Sequence, residues 1–183
     1  MDLFSKTIEY VDKSFQWKQK PHFERTVFWL ERFLPEANEA HKIAAYSHDI
    51  ERSFRDEKTK NNLKNYLDKE FLRVHQEKGA EIMAKFLKSQ KSSEDVIKTV
   101  RHLISKHEVG GDEEQNALMD ADSVSFFETN AELFVNEKAA IEGYEEVKEK
   151  LDWMFNRISS KKRKEIAREN YEKWSKILEG YRK

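Results

Sequence analysis

At 183 residues the chain has the length of one ordinary domain, 1–183, and enough material to bury a full hydrophobic core. Although 38% of it is charged, 34 basic and 35 acidic residues cancel to -1, which removes any general pull towards nucleic acid or a membrane surface. With no Cys, disulfides, thiolate ligands and a Cys nucleophile are excluded, and any metal must be held by His and carboxylates.

The stretch Met1-Asp2-Leu3-Phe4-Ser5-Lys6 lacks the apolar run of a signal peptide, and nothing approaches the roughly 20 apolar residues of a membrane span, so a cytoplasmic location is expected. Five Gly and two Pro are too few for the turns of a β-rich fold, and the expected class is all-α. Apolar residues recur at helical spacing through Leu3–Gln19, His22–Leu34 and Glu36–Arg52, with Pro21 and Pro35 at the boundaries. The pattern continues through Asn61–Gln90, with a break expected near Arg73, and through Ser93–Glu108, where Ser93 has the character of an N-cap. Glu113–Glu128, Ala131–Arg157 and Ser160–Tyr181 complete the set, and Ser53–Lys60 and Val109–Asp112 read as loops that gate a cleft.

Placing residues about 100° apart around each helix shows which titratable side chains share an apolar stripe. His107 continues Val96, Val100 and Leu103, whereas His102 falls off that stripe. His75 lies in line with Gly79, Ile82 and Phe86, His22 with Thr26, Trp29 and Phe33, and His48 with Ala44 and Ala45. Asp122 lies between Leu118 and Phe126 and reads as the inward acid of Met119-Asp120-Ala121-Asp122, with Asp120 on the opposite side. A buried carboxylate is costly unless paired or bound to a metal, and four inward histidines with two aspartates together favour a metal. His41 shares the His48 face but lies one heptad away, about 10.5 Å along the axis, so it reads as a core residue or as a partner behind the ligands.

The order His22, His48-Asp49, Asp122 resembles the H…HD…D signature of the HD-domain superfamily, a compact helical bundle. Arg25 after His22, Ala44-Ala45-Tyr46-Ser47-His48-Asp49-Ile50 and Ala121-Asp122 add to the likeness, which spans roughly Lys20 to Glu128. The C-terminal helices, about 131–181, are expected to pack on this core. The resemblance implies that His22, His48, Asp49 and Asp122 hold one divalent ion. His75 and His107 occupy the intervals where binuclear members carry two more histidines, Asp49 then bridging the ions. Lys106 stands where some binuclear members have the first His of a pair, which argues against a third ion.

Imidazole and carboxylate suit Mn, Fe, Co, Ni or Zn, and a single-metal site also suits Mg. The implied activity is metal-dependent hydrolysis of a small phosphate ester, with nucleotides the leading substrate class. A mixed-valent di-iron oxygenase and a non-catalytic binding module are the alternatives. Arg25, Arg52, Lys78 and Lys106 are candidate phosphate-binding cations, and Glu51 a candidate general acid or base if the chain turns it into the cleft. The run Lys161-Lys162-Arg163-Lys164 reads as a solvated helix face, and Trp153, Phe155, Tyr171 and Trp174 as core or as a cap over the site. Neither a phosphate-cradling nor a dinucleotide-binding Gly motif occurs.

Overall fold

The computed structural model describes residues 1–55 and 68–182, and among these there is no strand. The longer helices are α1 (Leu3–Ser14), α2 (Lys20–Phe33), α3 (Glu39–Ser47), α4 (Lys69–Ser89), α5 (Glu94–Ile104), α6 (Glu113–Thr129), α7 (Tyr144–Asn156) and α8 (Lys161–Leu178). Asp2, Asn38, Asp68, Ser93, Asp112 and Ser160 cap six of them with side-chain oxygens that accept backbone N–H groups otherwise left unpaired. His41 belongs to the cap of α3, where its Nδ1 accepts the Asn38 N–H at 3.3 Å.

Several expected helices are shorter than their apolar periodicity. The stretch Glu36–Arg52 is not one helix: α3 stops at Ser47, the chain turns at His48 and Asp49, and a 3-10 turn follows at Ile50–Phe54. α4 runs through Arg73 without a break, because Arg73 bonds to Glu70 and Glu77 on its own helix face. Ala131–Arg157 is divided by a π-helical turn at Phe134–Lys138 and by Gly143, whose φ of 104° ends the short helix Ala139–Glu142 before α7 begins. Of the expected gating loops, the 56–60 part of Ser53–Lys60 lies outside the described residues, as does 61–67 of the expected fourth helix.

Two apolar clusters meet along α6. The first contains Phe23, Leu30, Ile43, Tyr46, Met83 and Leu103, and takes Ala117, Leu118 and Ala121 from α6. The second takes Val124, Phe126 and Phe127 from the same helix and packs them against Leu151, Phe155 and Trp174. Phe155 stacks on Tyr171 at 4.2 Å, and the Trp174 indole donates to the Phe127 carbonyl at 3.1 Å, so these aromatics are core. Because α6 is buried on every side from Ala117 to Phe127, both of its aspartates are inside.

That corrects the reading of Asp120. It points away from Asp122 but meets protein, not water: it accepts the Ser159 N–H at 2.7 Å, the Ser159 hydroxyl at 2.8 Å and Arg163 at 3.1 Å. Arg163 also donates to the Phe33 carbonyl, so this member of the basic run ties α8 to α2 and α6 instead of facing solvent. The α7–α8 connection is thereby pinned to the central helix, and the end of α7 is brought to the other face of α6, beside Asp122.

Candidate metal centre

The six side chains expected to hold metal converge from five parts of the chain, and all are buried. His22 comes from the first turn of α2, His48 and Asp49 from the turn after α3, His75 from α4, His107 from the turn after α5, and Asp122 from the middle of α6. The ending of α3 at Ser47 is what lets two adjacent residues both face the site, since neighbours on a helix point about 100° apart. Gly79, one turn after His75, lets α4 close on this turn: a Cβ there would lie 3.5 Å from the His48 carbonyl oxygen and 3.3 Å from Ile104.

The four imidazoles form a row, with ring centres 5.5 Å apart for His22 and His48, 5.2 Å for His48 and His107, and 5.1 Å for His107 and His75. Each has Nδ1 engaged on the side away from the site. His48 and His107 donate to the carbonyls of Ala45 and Ile104, both at 2.8 Å, and His75 donates to Glu51 at 2.7 Å. His22 donates towards Ser125 and Thr129, whose hydroxyls give their own protons to the carbonyls of Asp122 and Ser125. Four Nε2 atoms are therefore turned to a common space. This is the arrangement in which a partner behind the ring fixes the tautomer for metal binding.

Those Nε2 atoms face carboxylate oxygens, and each such contact is closed either by a proton on the ring or by a metal ion that displaces it. One group is His22, His48 and Asp122, with Asp122 Oδ1 at 3.1 Å from His22 Nε2 and 3.4 Å from His48 Nε2. The other is Asp49, His75, His107 and Glu108. There Asp49 Oδ1 lies 3.2 Å from His75 Nε2 and 3.6 Å from His107 Nε2, and Glu108 Oε1 lies 3.7 and 3.8 Å from the same two atoms. The second Asp49 oxygen faces His48 Nε2 at 3.9 Å, so this carboxylate looks into both groups.

Ligand atoms around an ion with bonds of about 2.1 Å stand about 3.0 Å apart in octahedral and about 3.4 Å in tetrahedral geometry, so the donor spacing fits. His48 Nε2 and His107 Nε2 are buried with no hydrogen-bond partner, which an ion would supply. Any such ion would sit among nitrogen and oxygen donors of the kind that suits divalent first-row metals.

Electrostatics keep the carboxylates ionised. Burial pushes Asp49 and Asp122 up, but Arg52 and His48 outweigh it at Asp49, and Arg157 and His48 at Asp122, so both stay well below the usual carboxylate range. Burial also raises Glu108, yet Arg157, His107 and Arg52 bring it down to about 2. Burial lowers His48, and Asp122 and Asp49 more than reverse this, taking it to about 9. In the metal-free chain these carboxylates are offset by Arg52, Arg157 and the His48 imidazolium, whose proton a bound cation would replace.

Glu108 and Arg157 are the residues that helix periodicity missed. Glu108 follows His107 and would point elsewhere on a continued helix, but α5 ends at Ile104, and the Gln76 side chain accepts the Glu108 N–H at 2.9 Å. Arg157 arrives from the end of α7, bonds to Asp122 and Glu108 together, and donates to Ser123 at 2.8 Å. Nothing local in the sequence marks it.

The proposed cations divide. Arg52 is at the site, 3.1 Å from Asp49 and 3.6 Å from Glu108. Arg25 is not: its guanidinium pairs with Glu128 at 2.6 and 2.9 Å and lies over Phe28. Lys78 and Lys106 are exposed and line none of the cavities that reach the ligands. Glu51 does turn inward, but to His75 and Arg55, so it orients a ligand instead of facing the cleft. Replacing it, Glu51→Gln, is expected to weaken binding at the Asp49–His75–His107–Glu108 group about 10–100-fold, measured by metal titration, with the His22 group little changed.

Two openings meet at Asp49 and Arg52. A cavity of about 30 Å³, room for a single water, lies inside against His22, Glu108, Asp122, Lys150 and Arg157. Burial lowers Lys150 to about 7 against the pull of Glu108. A cleft of about 410 Å³ reaches the same two residues from outside.

Residues 6–178 match the model of the family described as Domain of unknown function (DUF4202). No curated protein and no solved structure matches the chain. No described helix is long and apolar enough to cross a membrane.

Proposed function

We propose that this chain, which belongs to the DUF4202 family over residues 6–178, is a metal-dependent phosphohydrolase acting on a small phosphate ester, nucleotides being the leading class. The observation that supports this most is the pair of adjoining donor groups, with the second Asp49 oxygen 3.9 Å from His48 of the other group, four Nε2 atoms aimed into them and an open cleft ending at Arg52. The order His22, His48-Asp49, Asp122 resembles the HD-domain superfamily, where hydrolysis of phosphate esters is common, and that likeness sets the reaction class.

Two divalent ions at this site would polarise a phosphoryl oxygen and lower the pKa of a water. The chain's own residues do the remaining work. Asp49, fixed between the two groups, keeps them at a set separation, and His22, His48 and Asp122 on one side and His75, His107 and Glu108 on the other complete them. Arg52, at the base of the cleft, is placed to hold the ester's phosphate and offset its charge. Glu51 fixes the His75 ring, and Arg157 fixes the carboxylates of Asp122 and Glu108.

The test is release of orthophosphate from a panel of phosphate esters by protein loaded with Mn, Fe, Co, Ni, Zn or Mg. Release with at least one metal, lost on chelation, supports the reading. Oxygen uptake by the iron-loaded chain without phosphate release would move it to oxygenase chemistry.

The histidines give this site a signed pH dependence. Metals bind neutral imidazole, and His48 in the metal-free chain holds its proton up to about 9, so uptake near pH 7 displaces a proton. Metal affinity is expected to rise up to about tenfold per pH unit between 7 and 9 from this residue alone. In the metal-free chain the sign is opposite. Charged His48 stabilises the fold fully below its ordinary 6.5, and that contribution is lost as pH climbs through about 9. Melting curves of chelated and loaded protein should therefore diverge from pH 7 to 9, and parallel curves would contradict the assignment.

A further inference from the structure

The side of α7 that lines the inner cavity carries Lys150, Met154 and Arg157, which the helical repeat places on one face. A helix face turned to the interior is ordinarily apolar, and this one brings two cations. Lys150 is 8% exposed, and an ammonium taken out of water is costly unless charged or polar groups receive it. Both cations lie against the Trp153 ring, Lys150 Nζ at 4.3 Å and the Arg157 guanidinium at 4.5 Å from its centre, so they are held side by side. α7 lies outside the span that resembles the HD-domain bundle, and the pair is therefore delivered to the metal centre by the C-terminal part of the chain.

The cavity of about 30 Å³ lies between this face and His22, Asp49, Glu108 and Asp122. It suits one water, or one oxygen of a larger group entering from the cleft past Asp49 and Arg52, which line both spaces. Phe126, Phe134 and Met154 make part of its wall apolar. Arg157 is engaged by Asp122, Glu108 and Ser123, and Arg52 lies 3.1 Å from Asp49 and 3.6 Å from Glu108. Two divalent ions would outweigh the carboxylates of Asp49, Asp122 and Glu108, which these arginines already offset in large part, so the loaded centre attracts an anion. An anion oxygen in the cavity meets Lys150, whose Nζ offers N–H donors whether or not it carries its third proton.

We propose that Lys150 is a phosphate-binding residue of this centre, donating to a phosphoryl oxygen that takes the place of one water in the inner cavity while Arg52 holds the same group from the cleft. This rests on the reading of the site as a phosphohydrolase centre. The two cations come from different parts of the chain, Arg52 from the turn after α3 and Lys150 from α7, and only Arg52 lines the cleft as well as the cavity. The C-terminal helices are then part of the reacting site and not a cover over it. A lysine kept for the fold alone would answer Glu108, but Glu108 has Arg157 and Arg52 without it.

The test is calorimetric binding of orthophosphate to the manganese-loaded wild-type chain and to Lys150→Met, a substitution of similar length that removes the donors. Manganese per chain and Tm without phosphate are measured in parallel. The variant should bind orthophosphate at least about tenfold more weakly, with its manganese unchanged and its phosphate-free Tm no lower than that of wild type. Unchanged affinity would overturn the role of Lys150 and leave the phosphohydrolase reading standing. If the variant is less stable or loses manganese, a crystal structure of the manganese-loaded wild type with orthophosphate decides. A phosphate oxygen about 3 Å from Lys150 Nζ is expected, and a phosphate bound out of hydrogen-bond reach of Nζ would overturn the proposal. Wild type that takes up no manganese, or binds no orthophosphate once loaded, would overturn both.

Discussion

Asp49→Ala is expected to lose metal from both donor groups at once, and phosphate release with it by at least about a thousandfold, equivalent to about 4 kcal/mol of transition-state stabilisation. The reason is geometric. Asp49 is the only one of the seven donors whose two oxygens face different groups, one towards His75 and His107 and the other towards His48. His75→Ala removes a donor from one group alone and should leave about one ion per chain, bound by His22, His48 and Asp122 with Asp49 reaching in from beside His48. Metal analysis of the two variants beside wild type separates a shared centre from two independent ones. Equal losses in both variants would contradict a bridging Asp49.

Arg157→Met should show the second large effect, and in the metal-free chain above all. Arg157 is 7% exposed and is bonded to both Asp122 and Glu108, so its loss leaves two buried carboxylates short of their main cation. Breaking a buried pair from one side costs about 3–5 kcal/mol, which for a chain of this size lowers Tm by roughly 6–20 °C. A divalent ion bound to the same carboxylates replaces much of that charge, so metal should restore more stability to the variant than it adds to wild type. Thermal melts with and without chelator measure this directly. A variant whose loss of Tm is the same in both conditions would show that Arg157 serves packing and not the charge of the site.

The helices and the inward faces of His22, His75, His107 and Asp122 were legible because apolar periodicity survives local irregularity. His48 was legible in the same way, in line with Ala44 and Ala45, whereas the role of Asp49 came through the family resemblance, since an uninterrupted Glu36–Arg52 helix would have aimed it about 100° away from His48. The same limit hid Glu108, which reaches the site only because α5 ends at Ile104. Asp120 was misread for a different reason: a helix buried on all sides has no solvent face, and a wheel drawn on one sequence cannot show that α7 and α8 cover it. Arg157 depends on packing between segments 35 residues apart, for which local spacing carries no signal. Arg25 and Lys106 were judged on nearness in sequence to a ligand, and helical geometry turns the first to Glu128 and leaves the second exposed.

What ties these residues together is charge. Seven donors and two arginines are folded together, and the buried Nε2 atoms of His48 and His107 have no hydrogen-bond partner. The central claim is that two divalent ions complete this arrangement. It is tested most directly by reconstituting the wild-type chain with manganese, removing the excess and determining metal per chain by mass spectrometry. Two ions per chain are expected, and a chain that retains none after reconstitution with manganese or iron would contradict the account.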